Sequence, residues 1–228
     1  MMKRIKKFHG KYIRHAPYHY FLGLLAIFLL GYPFIIEFRV GREVLAGFLM
    51  MTMLLGIFSS SRTKTVRAIA ILIATPAIVL LALYLSESAD IEFPLVGLAT
   101  LLVVIFTLGN VLAYVLRQGP VSEDRIAAAV CAYLLTGLLF AGFYAFTDAY
   151  DPKAFIALGG GQRMGHFYEF VYFSFTTLTS TGYGDIAPVS YHARSLANAE
   201  QLVGTFYIAL LIARLTGLYQ SSRQKAGE

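Results

Sequence analysis

From Phe93 to Leu116 this chain carries no charged side chain. Runs of similar kind extend from Ala16 to Ile36, Val44 to Ser61, Ala68 to Ser86 and Ile126 to Thr147. A helix needs about 17 to 25 apolar residues to cross the hydrocarbon of a bilayer, and each of these runs is long enough. A final segment, Ser195 to Tyr219, is apolar apart from Glu200 and Arg214. Between it and the run before lies a shorter semi-apolar piece, His166 to Ser180. That piece is too short to cross but long enough to dip in and return. The expected fold is an all-α membrane protein with six transmembrane helices. A re-entrant helix and an irregular loop lie between helices five and six.

Composition agrees with this reading and removes others. The chain is 57% hydrophobic and 14% charged, whereas soluble domains carry about 25% charge. A lone cysteine, Cys131, excludes an internal disulfide framework and reads as a small core residue. The five histidines are scattered, without metal-ligand spacing, and neither a phosphate-binding loop nor a nucleophile elbow is present. No enzyme is expected, and no cofactor.

The net charge of +6 does not point to nucleic acid, because the basic residues flank the apolar runs. Counted on the two sides of six alternating spans, Lys and Arg divide fourteen to five. The richer side includes the N-terminal group Lys3, Arg4, Lys6, Lys7, Lys11 and Arg14. Positive charge marks the cytoplasmic side, so both termini are expected in the cytoplasm, with a plasma-membrane location of bacterial or archaeal type. The basic N-terminus is also suited to anionic lipid headgroups. The expected organisation is a cytoplasmic segment 1–15, a four-helix membrane domain 16–117, a second membrane unit 122–219 and a short tail 220–228. Span five has a clear start, with Pro120, then Ser122 as N-cap, then Glu123 and Asp124 in the first turn. Pro33, Pro76 and Pro94 mark kinks or helix starts, and Gly159-Gly160-Gly161 a flexible outer turn.

The loop before the last span reads TSTGYGDIAP, Thr179 to Pro188. Irregular backbone at membrane depth is tolerated only where it is buried or lines water. Glycines there permit backbone angles that other residues resist, and such angles turn successive carbonyl oxygens to one side.

The run Thr177-Leu178-Thr179-Ser180-Thr181-Gly182-Tyr183-Gly184-Asp185 resembles the selectivity-filter signature of tetrameric potassium channels. The resemblance extends over about Ser122 to Tyr219. The run Tyr133 to Phe140 is similar to the outer helix of prokaryotic ion-channel proteins. The first four spans carry no recognisable motif. The resemblance implies a homotetramer that conducts K+ passively through stacked rings of carbonyl oxygens. The carbonyls of Ser180, Thr181, Gly182 and Tyr183 would face the ions, with Gly184 at the outer mouth. Ser180 stands where the family usually has Thr, and Thr181 where it usually has Val. A weakly selective cation channel, or a non-conducting channel-like subunit, therefore stays as an alternative.

The resemblance also implies supporting roles. Asp185 would meet an aromatic donor on the re-entrant helix. Tyr172 and Phe173 hold those aromatic positions, and only the Tyr172 hydroxyl can donate. The other reading of Asp185 is a solvated charge at the mouth. Thr176 stands where some relatives carry a glutamate, and Thr177 follows it. Glu200, a carboxyl within a span, either braces the filter near Thr176 or Thr177 or snorkels to the outer interface. Gly204 aligns with the family's hinge glycine, or permits close packing. Thr205, Ile208 and Ile212 share one helical face and are cavity and gate candidates. Arg214 is expected to snorkel to the inner interface.

Voltage sensing is not expected, because a sensor needs several basic residues within the fourth span and Phe93 to Leu116 has none. The short link from Arg117 to Ser122 implies that spans one to four pack on their own subunit. No ligand-binding domain is expected after Tyr219.

Overall fold

The computed structural model describes residues 17–35, 64–85, 93–117, 122–157 and 167–224, with position 47. The second apolar run, the basic N-terminal segment and the Gly159–Gly161 turn lie outside the described residues. Six helices and two short strands occur among those described. They are α1 (Pro17–Ile35), α2 (Lys64–Leu85), α3 (Phe93–Val115), α4 (Glu123–Tyr150), β1 (Phe155–Ala157), α5 (Phe167–Leu178), β2 (Ile186–Pro188) and α6 (Tyr191–Gln224). Among the described residues, three helical segments are long and apolar enough to cross a membrane: Leu95–Val115, Glu123–Tyr150 and Tyr191–Arg214. Two shorter apolar helices, Tyr18–Gly31 and Ala68–Tyr84, accompany them. Pro94 sits in the first turn of α3, where a missing N–H costs nothing, and Pro76 lies inside α2.

Helix α4 is the centre of the structure. It packs against α1, α3, α5 and α6, while α2 packs on α3. The sequence of α4 explains this role. Ala127, Ala128, Ala129, Ala132, Ala141 and Ala145 are buried along it, and small side chains let neighbouring backbones approach closely. At Gly142 an added Cβ would meet the Leu101 side chain of α3, and at Gly137 it would lie 2.9 Å from the Phe175 ring of α5.

The start of α4 is fixed in two ways. Ser122 caps it, with its hydroxyl accepting from the Arg125 N–H at 3.3 Å. Asp124, in the first turn, is buried. It accepts the Tyr18 backbone N–H at 3.0 Å and the Tyr114 hydroxyl at 3.1 Å, and His19 Nδ1 lies 3.5 Å from it. The rings of Tyr18 and Tyr114 stack at 4.7 Å. One carboxylate thus joins the start of α1, the end of α3 and the start of α4. Cys131 is buried in the same core, as expected of a small apolar residue.

At the opposite end of α4, β1 pairs antiparallel with β2, with Phe155 opposite Pro188 and Ala157 opposite Ile186. The Val189 N–H adds a bond of 2.7 Å to the Ala154 carbonyl. This small ladder anchors the segment that follows the TSTGYGD loop to the end of α4.

Candidate functional site

Helix α5 has 12 residues, about 18 Å at 1.5 Å per residue, well short of the ~30 Å of a bilayer core. Its buried aromatics lock it to α4. Phe173 is buried and meets the Tyr144 ring edge-on at 4.9 Å. Phe155 packs edge-on against both Phe170 and Phe173, each at 5.6 Å.

The last four carbonyls of a helix lack intrahelical partners, and their partners here define the loop. The Phe175 carbonyl accepts the Thr179 N–H at 3.1 Å and the Thr179 hydroxyl at 2.6 Å. The Thr176 carbonyl accepts from both Thr181 N–H, at 2.8 Å, and Gly182 N–H, at 3.1 Å. The Thr177 carbonyl accepts the Ser180 N–H at 2.9 Å. The Leu178 carbonyl accepts the Tyr133 hydroxyl of α4 at 3.2 Å. All four orphan acceptors are used, three of them by the loop itself.

This pattern dictates where the loop's own carbonyls point. Across a trans peptide, the C=O of one residue is directed opposite to the N–H of the next, and no described peptide is cis. The N–H groups of Ser180, Thr181 and Gly182 all point back at α5, so the carbonyls of Thr179, Ser180 and Thr181 point away from it. The backbone angles fit this arrangement. φ is positive at Ser180 (56°), Gly182 (54°) and Gly184 (78°), while Thr181 and Tyr183 are not in that region. Such alternation lines successive N–H groups along one side of the chain. Ser180, Thr181, Gly182, Tyr183 and Gly184 are all exposed on the single chain.

The remaining candidates are placed as follows. The Tyr172 hydroxyl donates to Asp185 at 2.8 Å, and the Tyr172 and Tyr183 rings stack at 6.2 Å with an interplanar angle of 2°. The second Asp185 oxygen accepts the Ile186 N–H at 3.0 Å. Asp185 is thus bonded to α5 while remaining exposed. The Thr176 hydroxyl turns back to the Phe173 carbonyl at 2.9 Å, so Thr176 supports the loop through its backbone. Thr177 is buried. The Thr181 hydroxyl lies 2.8 Å from that of Thr179.

Glu200 is fully buried and does not snorkel. Its carboxyl meets α5 close to Thr176 and Thr177 but at Ser174 Oγ, and meets α4 at Tyr144 Oη, each at 2.5 Å. Ser174 lies one helical turn before Thr177 and Leu178, on the face of α5 turned towards α4 and α6. Arg214 is also bound rather than free, donating through Nη2 to the Arg117 carbonyl at 3.0 Å. Gly204 is buried in an unbroken α6, and an added Cβ would collide with the Leu178 carbonyl. In this structure it serves close packing. Thr205, Ile208 and Ile212 are exposed, on the side of α6 away from the Tyr207 contact with α4.

Sequence reasoning missed Tyr133, Ser174 and Tyr144. A signal existed for two of them: Tyr133, Gly137 and Tyr144 are spaced by four and seven positions, which puts them on one face of α4. Ser174 had none.

Residues 132–221 match a family model described as ion channel. The match runs from α4 through α5 and the loop into α6, and it supports an ion-channel reading of that part of the chain. No curated protein matches the chain.

Proposed function

We propose that this protein is a potassium-selective channel. Four copies surround an axis, and the loop from Ser180 to Gly184 from each copy lines a shared path for K+. The observation that carries the reading is the direction of the carbonyls of Thr179, Ser180 and Thr181. The N–H groups of Ser180, Thr181 and Gly182 are consumed by α5, which leaves the oxygens on the other side free to replace an ion's water shell. One strand cannot enclose an ion, and rotational symmetry supplies the rest of the ring. The exposure of residues 180–184 on a single chain is what such a shared path requires. The C-terminal end of α5 adds a partial negative charge beside the loop.

In this reading α5 and the loop re-enter the membrane between α4 and α6. Thr205, Ile208 and Ile212 face a cavity below the filter, where Ile208 and Ile212 make an apolar constriction that closes by dewetting. The absence of Lys and Arg from Phe93 to Leu116 leaves no fourth-span sensor, so conductance is only weakly voltage-dependent. The protein lies in the plasma membrane with both termini in the cytoplasm, where the basic N-terminal segment meets anionic lipid.

The test is electrical. Purified protein in a planar bilayer, under a potassium gradient opposed by sodium, gives a reversal potential close to the potassium equilibrium potential. A reversal near zero with current flowing replaces the proposal with a weakly selective cation pore, the reading favoured by the hydroxyls at Ser180 and Thr181. Failure of the pure protein to carry any current in lipid favours a non-conducting subunit.

A further inference from the structure

The carboxyl of Glu200 stands where α4, α5 and α6 meet, and no part of it reaches solvent. Its Oε2 is 2.5 Å from Tyr144 Oη, and its Oε1 is 2.5 Å from Ser174 Oγ. Ser174 Oγ is also 2.7 Å from the Gly137 carbonyl oxygen. These are three oxygen–oxygen contacts at hydrogen-bond distance, and each needs one hydrogen.

The hydrogens can be counted. A carbonyl only accepts, so the Ser174 hydroxyl hydrogen goes to Gly137. The Tyr144 hydroxyl hydrogen goes to Oε2 of Glu200. Ser174 has no second hydrogen to give, so the contact between Ser174 and Oε1 has none unless the carboxyl brings it. Charge balance leads to the same point. Among the described residues no Lys or Arg pairs with Glu200, and an unpaired buried carboxylate is far costlier than a hydrogen-bonded neutral acid.

We propose that Glu200 is held as a neutral carboxylic acid that donates its proton to Ser174, completing a one-way hydrogen-bond chain from Tyr144 through Glu200 and Ser174 to Gly137. The chain starts on α4, crosses α6 and α5, and returns to α4 two turns away from its start. Every hydroxyl hydrogen in it has an acceptor, which is what makes a buried network favourable. Ser174 stands one turn before the carbonyls that shape the loop, so Glu200 is a positioning residue. It fixes α5 against the last helix without placing a charge beside the ion path. The inference does not depend on which ion passes, and its spectroscopic test does not require conduction.

The experiment is infrared spectroscopy of the full chain in lipid at neutral pH, with and without carbon-13-labelled glutamate. The parent protein shows a carbonyl stretch of a protonated carboxyl that shifts with the label and is absent from Glu200→Gln. A parent spectrum without a label-sensitive protonated band overturns the proposal, whether or not the variant folds. Persistence of the band in Glu200→Gln also overturns it. Thermal unfolding of the variants is a second readout. Glutamine offers an N–H to Ser174 and a carbonyl to Tyr144, so Glu200→Gln keeps the parent's melting temperature while Glu200→Leu lowers it. Equal losses in both variants would mean that the negative charge is what holds the helices, and would refute the neutral acid.

Discussion

Gly204 of α6 lies against the backbone carbonyl of Leu178, so closely that a methyl group on Gly204 would overlap the oxygen. That carbonyl ends α5 and also takes the Tyr133 hydroxyl, so α4, α5 and α6 meet at one atom. The obstacle is backbone and cannot rotate aside. Gly204→Ala therefore forces α6 away from α5, and overpacking of this kind costs roughly 1–3 kcal/mol. The expected result is a clear drop in melting temperature in thermal unfolding. Gly97→Ala is the control, since a Cβ there meets nothing within 4 Å and alanine is the better helix former. Equal melting temperatures for the two variants would show that the approach at Gly204 is not tight.

The bond between Tyr172 and Asp185, at 2.8 Å, joins the middle of α5 to the residue just past the loop. Tyr172→Phe keeps the ring and its stacking on Tyr183 but removes the donor. The expected loss is about 0.5–1.5 kcal/mol. A double-mutant cycle with Asp185→Asn isolates it. If the bond holds the loop in shape, the double variant loses no more stability in thermal unfolding than Tyr172→Phe alone. Independent, additive effects of the two substitutions would show that Asp185 acts as a solvated charge.

Much of this architecture is legible in the sequence because the signals are local. Uncharged runs mark the apolar helices, and Ser122 with Glu123 and Asp124 marks where α4 begins. The glycines at 182 and 184 are visible for the same reason, since a positive φ is a demand on the residue itself. Ser180 breaks that rule, taking φ 56° without being glycine, so its conformation is set by the α5 carbonyls and not by its own preference. The partners of Glu200 were hidden because Ser174 and Tyr144 are 26 and 56 positions away, and neither residue type announces a role. β1 and β2 are three residues each, too short for an alternating pattern to form.

The hydroxyl of Thr181 has one described partner, Thr179 Oγ1 at 2.8 Å. The Thr179 hydroxyl in turn donates to the Phe175 carbonyl. Thr181→Val replaces the hydroxyl with a methyl of similar size, and Thr179 keeps its bond to Phe175. Neither the loop N–H bonds nor the carbonyl directions depend on the lost contact. The expected change in stability is within about 1 kcal/mol, and the reversal potential under opposed potassium and sodium gradients stays where it was. A shift of that potential away from zero on introducing valine would show that the threonine loosens the parent's ion discrimination.

Gly182 separates two residues whose backbones bend the other way, and its N–H shares the Thr176 carbonyl with that of Thr181. There is open space around it, with nothing within 4 Å of an added Cβ on the single chain, so the effect of a side chain is conformational. At φ 54° an alanine costs about 1–2 kcal/mol. In the proposed four-copy arrangement that cost recurs in every copy, and a strand that relaxes there would turn its carbonyl away from the shared path. Gly182→Ala is therefore expected to leave the helices folded, with an unchanged far-ultraviolet circular dichroism spectrum, while removing potassium-selective current. Selective current surviving in Gly182→Ala would mean that ion discrimination does not depend on the alternating backbone of residues 180–184.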